Sequence, residues 1–439
     1  RSAPRAVCAG KAGPRQSDTG AEAVSARPHW TRKFFTIWTG QAFSLVGSNL
    51  VQFALIWWLT IETGSAIVLT LAMVMGVLPQ VFLTPLAGAY VDRWNRKRTM
   101  IAADGLTALV TLFLMVSFAL GTVDIVQIML VLLLRSFFSG FHWPAMQAST
   151  TLMVPDAHLA RISGLNEAIR GLASIAAPPL GAVLMALLPM YMVLSVDLIT
   201  AAIAILALVA VAIPEVRRSE GRIAKSVIAD LKDAFHYIRS WKGALWMTII
   251  FMLINFLINP AFALLPLLTL EHFGGGAMEY AALESLAGAG MITGGLALGV
   301  WGGTSRKIVT CMAATGMCGL GVGLIGLLPP SGYIWAAFGC LLIGLSLPII
   351  NGTIVAIMQR GVRADYQGRV LAILGSGVAA MTPVGLVLAG PISELIGIQA
   401  WFLLGGSAMV FTALGSMFMP AIMRMEDHRP EAVPVETTP

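Results

Sequence analysis

Gly88-Ala89-Tyr90-Val91-Asp92-Arg93-Trp94-Asn95-Arg96-Lys97-Arg98 is the stretch from which the fold can be read. It falls between two apolar runs, and it packs Arg93, Arg96, Lys97, Arg98 and one carboxylate into a loop too short to be a domain. Gly88 lacks a side chain and lets two helix ends approach closely. Asp92, four residues on, is placed to face the positive end of a neighbouring helix. Arg93 follows it, and the basic pair Arg96-Lys97 begins three residues later, in reach of carboxylates on neighbouring helix ends. A basic loop alone reports only topology; glycine, aspartate, arginine and a basic pair at this spacing form a more specific pattern.

The flanking runs recur along the chain. Of 439 residues, 57% are hydrophobic and 11% charged, with a mean hydropathy of +0.82, whereas a soluble domain carries about 25% charged residues. A bilayer must therefore solvate most of the surface. Apolar runs of about 20 residues are Phe34–Thr60, Ser65–Tyr90, Thr99–Leu120, Ile125–Gln147, Ser163–Leu187 and Met190–Ile213. After a polar segment come Gly243–Leu270, Met278–Val300, Ile308–Leu328, Gly332–Met358, Val370–Leu395 and Gln399–Met423. The fold class is an all-α integral membrane protein of twelve transmembrane helices.

The 28 Lys and Arg residues orient these spans. Apart from Arg135 and Arg170 inside spans, they lie in the tails, the central segment and alternate loops; the other loops carry only Glu62, Asp124, Glu271, Glu279, Glu394 and neutral residues. Lys and Arg collect on the cytoplasmic side of membrane proteins, so both termini are expected there, in the cell membrane. Residues 1–29 and 425–439 read as polar cytoplasmic tails, the first lacking the apolar centre of a secretory signal. Residues 30–213 and 243–424 form two six-helix halves, joined by residues 214–242. In that linker Val227, Ile228, Leu231, Phe235 and Ile238 recur at helical spacing, which suits either an amphipathic helix on the membrane surface or a plain solvated linker. Cys311, Cys318 and Cys340 fall within spans and read as small buried side chains rather than a disulfide framework.

The second half holds a worn copy of the opening loop, Gly299-Val300-Trp301-Gly302-Gly303-Thr304-Ser305-Arg306-Lys307, at the same point of its six spans. It keeps glycines and the basic pair and lacks the aspartate, as an internal transporter repeat predicts. In this loop the chain resembles the major facilitator superfamily. Residues 135–155 (RSFFSGFHWPAMQASTTLMVP), 171–181 (GLASIAAPPLG) and Tyr366-Gln367-Gly368-Arg369-Val370 are similar to its macrolide-efflux and siderophore-exporter branch of drug:proton antiporters. The helix-five stretch departs from the usual antiporter form, with alanines for glycines and a Pro178-Pro179 pair. The resemblance implies two bundles related by pseudo-two-fold symmetry that rock about a central site. It also implies that Gly88, Asp92, Arg93, Arg96 and Lys97 form a conformational switch, with Asp92 and Arg96 stabilising the outward-facing state.

Polar residues within the spans supply the candidate site. Gln41, Ser44, Ser48 and Gln52 form one stripe on span one, and Thr248, Asn255 and Asn259 one on span seven. Such stripes either tie helices together or line a cavity, and the resemblance places both helices at the cavity. Arg135, with Phe138 and His142 on its face, must meet a carboxylate, a carbonyl or water, because an Arg at the bilayer centre costs about 2.5–3.5 kcal/mol. The matching arginine in proton antiporters takes part in proton transfer; a structural arginine bonded to helix-one carbonyls is the alternative. For proton coupling the order is Glu284, which has no basic residue in its span, then Glu167, with Arg170 three residues on. Desolvation in an apolar cavity favours a protonated carboxyl, as a proton carrier needs. Asp104 is expected to brace the basic loop, and Asp197 to pack a peripheral helix.

Known catalytic, phosphate-binding and metal-ligating patterns are missing from the sequence, so no enzyme, cofactor, metal or nucleic-acid partner is expected, and a proton gradient is the expected energy source. The expected partners are membrane lipids, protons and a small amphipathic substrate exported by a monomer. A lipid or lysolipid flippase and a non-transporting receptor or scaffold are the alternatives.

Overall fold

The computed structural model describes residues 30–91, 94–213, 241–362 and 367–427. Asp92, Arg93, Tyr366, the tail at 1–29, the proposed amphipathic helix within 214–240 and the tail beyond residue 427 lie outside the described residues. Among the described residues, twelve helices are long and apolar enough to cross a membrane. They are α1 (Trp30–Thr63), α2 (Ala66–Val91), α3 (Arg96–Leu120), α4 (Ile125–Met153), α5 (Asp156–Leu187), α6 (Met190–Ala210), α7 (Lys242–Glu271), α8 (Ala277–Trp301), α9 (Lys307–Leu327), α10 (Tyr333–Gly361), α11 (Gln367–Ile396) and α12 (Ile398–Met417).

Most helices overrun the apolar runs that announce them, because polar turns and caps continue the backbone beyond the hydrocarbon. Helix α5 begins at Asp156 after Pro155, a full polar turn and more before its first apolar stretch. Helix α3 starts where the Asn95 side chain accepts from the Arg98 amide at 3.0 Å, and stops at Gly121 in the left-handed region, φ 68°, a conformation that costs glycine nothing. Its two faces show how an apolar helix is sorted. Met100, Ala103, Thr111, Leu114 and Ser117 are buried, while Leu106, Leu109, Phe113, Val116 and Leu120 are exposed, which only lipid tolerates.

Helix packing repeats between the halves. In the first, α1 meets α5 and α6, α2 meets α4, and α3 meets α4 and α6; in the second, α7 meets α11 and α12, α8 meets α10, and α9 meets α10 and α12. The halves join along α2–α11 and α5–α8, pairs that the pseudo-two-fold exchanges. Small residues set the closest approaches: a Cβ on Gly344 of α10 would collide with the Ala287 carbonyl of α8, and one on Gly406 of α12 with the backbone of Gly323 on α9. Pro260 has no amide to bond Phe256, and Gly385 of α11 packs directly on that freed carbonyl. Cys311, Cys318 and Cys340 are buried and free.

The basic loop and its copy behave differently. Gly88 lies near the end of α2. Arg96 Nη1 donates to the Ala148 carbonyl at 2.9 Å, and Lys97 Nζ to those of Val209 and Val211 at 3.1 and 2.8 Å. These cations meet the carbonyl-bearing ends of α4 and α6, where the helix dipole is negative. In the second half Lys307 folds back on its own loop, donating to the Gly302 carbonyl at 2.6 Å, while Glu426 accepts from the Ile308 amide at the start of α9.

Candidate functional site: a cavity in the first half

A cavity of about 700 Å³ opens among the first six helices. It runs from mid-molecule towards the face where α1 begins, and Trp38, Thr150 and Asn166 line it there. Helix α1 contributes Gln41, Ser44, Ser48 and Gln52, so its polar stripe lies on the wall. Opposite stand Gln80 of α2, Asp104 and Thr107 of α3, Arg135, His142 and Gln147 of α4, and Asp197 of α6.

Arg135 and Asp197, both buried, form an ion pair across this wall. Asp197 also accepts from Ser48 Oγ at 2.8 Å and Thr111 Oγ1 at 3.1 Å, and Arg135 donates to Thr111 Oγ1. Three helices thus neutralise the charge that α4 carries into the membrane. Asp197 has the helix-packing role expected of it, tying α6 to α1, α3 and α4 through Ser48, Thr111 and Arg135, and it does so on the cavity wall. The expectation that Asp104 braces the basic loop is corrected for the described residues. Its Oδ2 accepts from Gln41 Nε2 at 3.0 Å, and its Oδ1 lies 3.3 Å from His142 Nε2. One signal for both was available: Asp104, Thr107 and Thr111 are spaced three and four apart, as regular a stripe as that of α1.

The remaining candidates lie elsewhere. Phe138 is half-buried and meets Phe137 edge-on, with centroids 5.8 Å apart; it is not among the lining residues. Thr248 donates to Ala244 O at 2.8 Å, Asn255 to Phe251 O at 3.0 Å and Asn259 to Asn255 O at 2.8 Å. The stripe of α7 thus bonds to its own helix, off the cavity wall. Glu167 is exposed, 4.0 Å from Arg170, whose guanidinium lies 3.8 Å from the Trp143 ring centroid.

Glu284 belongs to a closure at the opposite face. It accepts from Tyr280 Oη at 2.7 Å, and the Tyr280 ring stacks on Phe53 and Trp57 with centroids 5.1 and 5.6 Å away. On the same face, Glu394 of α11 accepts from Ser65 Oγ at 2.6 Å and the Ile67 amide at 3.2 Å, capping α2 from the other half. Among the described residues no His, Cys, Asp and Glu group could hold a metal ion.

The cavity thus lies within the first six helices, and that half joins its pseudo-symmetric mate along the swapped pairs α2–α11 and α5–α8. The sequence model of the Major Facilitator Superfamily matches residues 37–386. The chain belongs to that superfamily. It is a multi-pass membrane transporter and not an enzyme. It is 32% identical over 398 residues to macrolide efflux protein A of Streptococcus pyogenes, covering 91% of this chain and 98% of the relative. Against the multidrug efflux pump Tap of Mycobacterium tuberculosis it is 26% identical, covering 87% and 91%. Among solved structures, a variant of the nucleoside transporter NupG superposes with a TM-score of 0.69 at 16% identity, covering 88% of this chain and 98% of the other. A bacterial homologue of the human lysosomal transporter Spinster, in an inward-facing and unoccupied conformation, gives 0.67 at 11% identity, covering 93% and 100%.

Proposed function

We propose that this superfamily transporter exports small amphipathic molecules of macrolide or multidrug type across the cell membrane, by alternating access and in exchange for protons. The observation that carries the reading is the cavity. Its volume of about 700 Å³ falls within the roughly 300–1,000 Å³ of sites for drug-sized ligands, and its wall mixes amides, hydroxyls and one ion pair with Trp38, Leu45, Met73 and Leu132. The relatives' names support efflux and do not favour a lipid carrier or a non-transporting receptor. With both chain ends in the cytoplasm, the placement that the distribution of Lys and Arg supports, the cavity faces inward and takes its substrate from the cytoplasm or inner leaflet. Arg135 sits on the cavity wall, Glu284 at the outer closure and Glu167 at the cytoplasmic side. Of these, Arg135 is positioned to bias substrate binding and Glu284 to couple its protonation to opening of the closure.

Efflux tests this directly. Cells lacking their own pumps and expressing the chain should accumulate less radiolabelled erythromycin than cells with an empty vector, and the difference should vanish on adding a protonophore. Equal accumulation of erythromycin and of a panel of amphipathic dyes, with protein in the membrane, would rule the reading out.

A further inference from the structure

We propose that the closed end of the cavity reads an uncharged oxygen of the transported molecule, a hydroxyl, ketone or ester on an apolar ring, and that Ser136 is the residue that reads it. The inference rests on the drug-export reading above and names a subsite and the chemistry that fills it.

Ser136 of α4 is 4% exposed and lines the cavity, yet its Oγ has no hydrogen-bond partner among the described residues. A serine or threonine inside a helix can bond the carbonyl three or four residues back, and its neighbours on α4 do so. Ser149 donates to Ala145 O at 2.7 Å and Thr150 to Met146 O at 2.9 Å. The buried Thr248, Thr269, Thr315, Ser346 and Thr353 do the same in other helices. Ser393 of α11 shares the orphaned hydroxyl but is not among the cavity's lining residues. A buried hydroxyl without a partner carries a desolvation penalty, which a ligand oxygen meeting it relieves.

The surroundings of Ser136 select the kind of oxygen. Gln52 of α1, Gly76 of α2 and Ser136 lie at one depth, ten or eleven residues from the helix ends Thr63, Ala66 and Ile125, which is about 16 Å along each helix. Of the lining residues, Gln52, Met73 and Leu132 are the farthest from the mouth on their helices, so the cavity ends about one turn beyond Ser136. Gly76 keeps this end open: the atom nearest a Cβ placed there is Gln52 Nε2, at 3.9 Å. Met73, Val77 and Leu132 supply apolar surface. The neighbouring charge on α4, Arg135, is paired with Asp197 and bonded to Thr111. An ion brought to this end would be left without a counter-charge in a low-dielectric wall, which is costly. A hydroxyl and an amide, each able to donate and to accept, take a neutral oxygen of either kind. The ligand that fits is an apolar ring or macrocycle bearing hydroxyl, ketone or ester oxygens.

The test uses purified full-length protein in detergent and measures equilibrium binding of radiolabelled erythromycin beside the melting temperature of the empty protein. Ser136→Ala should bind erythromycin about five- to tenfold more weakly than the wild type, the worth of one neutral hydrogen bond. The empty variant should melt no lower than the wild type, because it loses an unpaired hydroxyl and gains the better helix former. Ser149→Ala, whose hydroxyl is bonded within α4 and lies off the cavity wall, should keep the wild-type affinity. Should Ser136→Ala not fold, Ser136→Cys supplies the check: a thiol, only a weak donor and acceptor, should show the same direction of loss. Unchanged affinity in the variant that folds, or a loss that comes with a lower melting temperature of the empty protein, would overturn the inference. A wild type that exports amphipathic dyes and does not bind erythromycin sinks this inference alone, and a wild type that exports neither sinks the function beneath it as well.

Discussion

Arg135 and Asp197 reach each other across α3, with Thr111 between them, and the pair answers the cost of placing a guanidinium within the membrane. Removing one partner of a buried pair leaves the other uncompensated, at about 3–5 kcal/mol, whereas replacing both with apolar groups of similar volume is often neutral. Asp197→Ala and Arg135→Ala should each therefore lower the thermal stability of the purified protein strongly. Arg135→Met with Asp197→Leu should recover most of the loss, and the coupling in a double-mutant cycle should exceed about 1 kcal/mol. Additive losses would show that the two charges stand independently. Arg135 could be read from the sequence as a charge in need of a partner, but the partner could not, because periodicity along one helix does not say which helices face each other. The α1 stripe was legible for the converse reason: four polar residues on one face have to be turned from lipid. The α7 stripe has the same periodicity, yet Asn255 and Asn259 satisfy their donors on their own backbone, an outcome that spacing cannot distinguish from cavity lining.

At the scale of helices, glycine placement separates contacts that must be bare from those that need not be. Gly344 of α10 lies against the Ala287 carbonyl, backbone on backbone, while Gly299 near the end of α8 has nothing within 4 Å of a Cβ among the described residues. Both belong to glycine-rich spans and look alike in the sequence. The contact at Gly344 cannot relax by turning a side chain, so α8 and α10 would have to part. Gly344→Ala should destabilise by about 1–3 kcal/mol, the range for overpacking. Gly299→Ala should be neutral or slightly stabilising, since alanine is the better helix former. Melting of the two variants in the same detergent checks the contrast, and equal melting temperatures would contradict it. The existence and order of the twelve helices were legible because an uncharged apolar run of about 18 residues or more matches the thickness of a bilayer and exceeds what a buried core helix needs. Their ends were less so, since caps such as Asn95 and Pro155 lie outside the apolar pattern.

For the whole molecule, the form in which the cavity opens beside the start of α1 depends on what closes the opposite face. Contacts that cross there between the halves include the Phe53–Tyr280–Trp57 stack between α1 and α8, and Glu394 of α11 capping α2 through Ser65 and Ile67. Alternating access requires both to break when the cavity opens outward, so each biases the equilibrium between the two forms without touching substrate. Loss of an N-terminal cap costs about 1 kcal/mol, which shifts a two-state equilibrium roughly fivefold, and loss of aromatic pairing about 0.5–1.5 kcal/mol beyond the area it buries. Glu394→Ala and Tyr280→Ala should therefore each raise the outward-open population several-fold, and together multiply their effects. A cysteine at the cavity position Gln52 reports this: labelled from outside intact cells with a membrane-impermeant maleimide, Gln52→Cys should react faster in either gate variant than alone. Cys311, Cys318 and Cys340 are buried and should contribute little background. Tyr280→Phe separates the two parts of the stack, because it keeps the ring and removes the hydrogen bond to Glu284. If ring stacking holds the closure, Tyr280→Phe labels like its parent; if the Glu284 bond holds it, Tyr280→Phe labels like Tyr280→Ala, and lowering the external pH to protonate Glu284 should speed labelling of the parent as well. Unchanged labelling in both Glu394→Ala and Tyr280→Ala would mean that the outer face is held elsewhere, along the α2–α11 and α5–α8 seams.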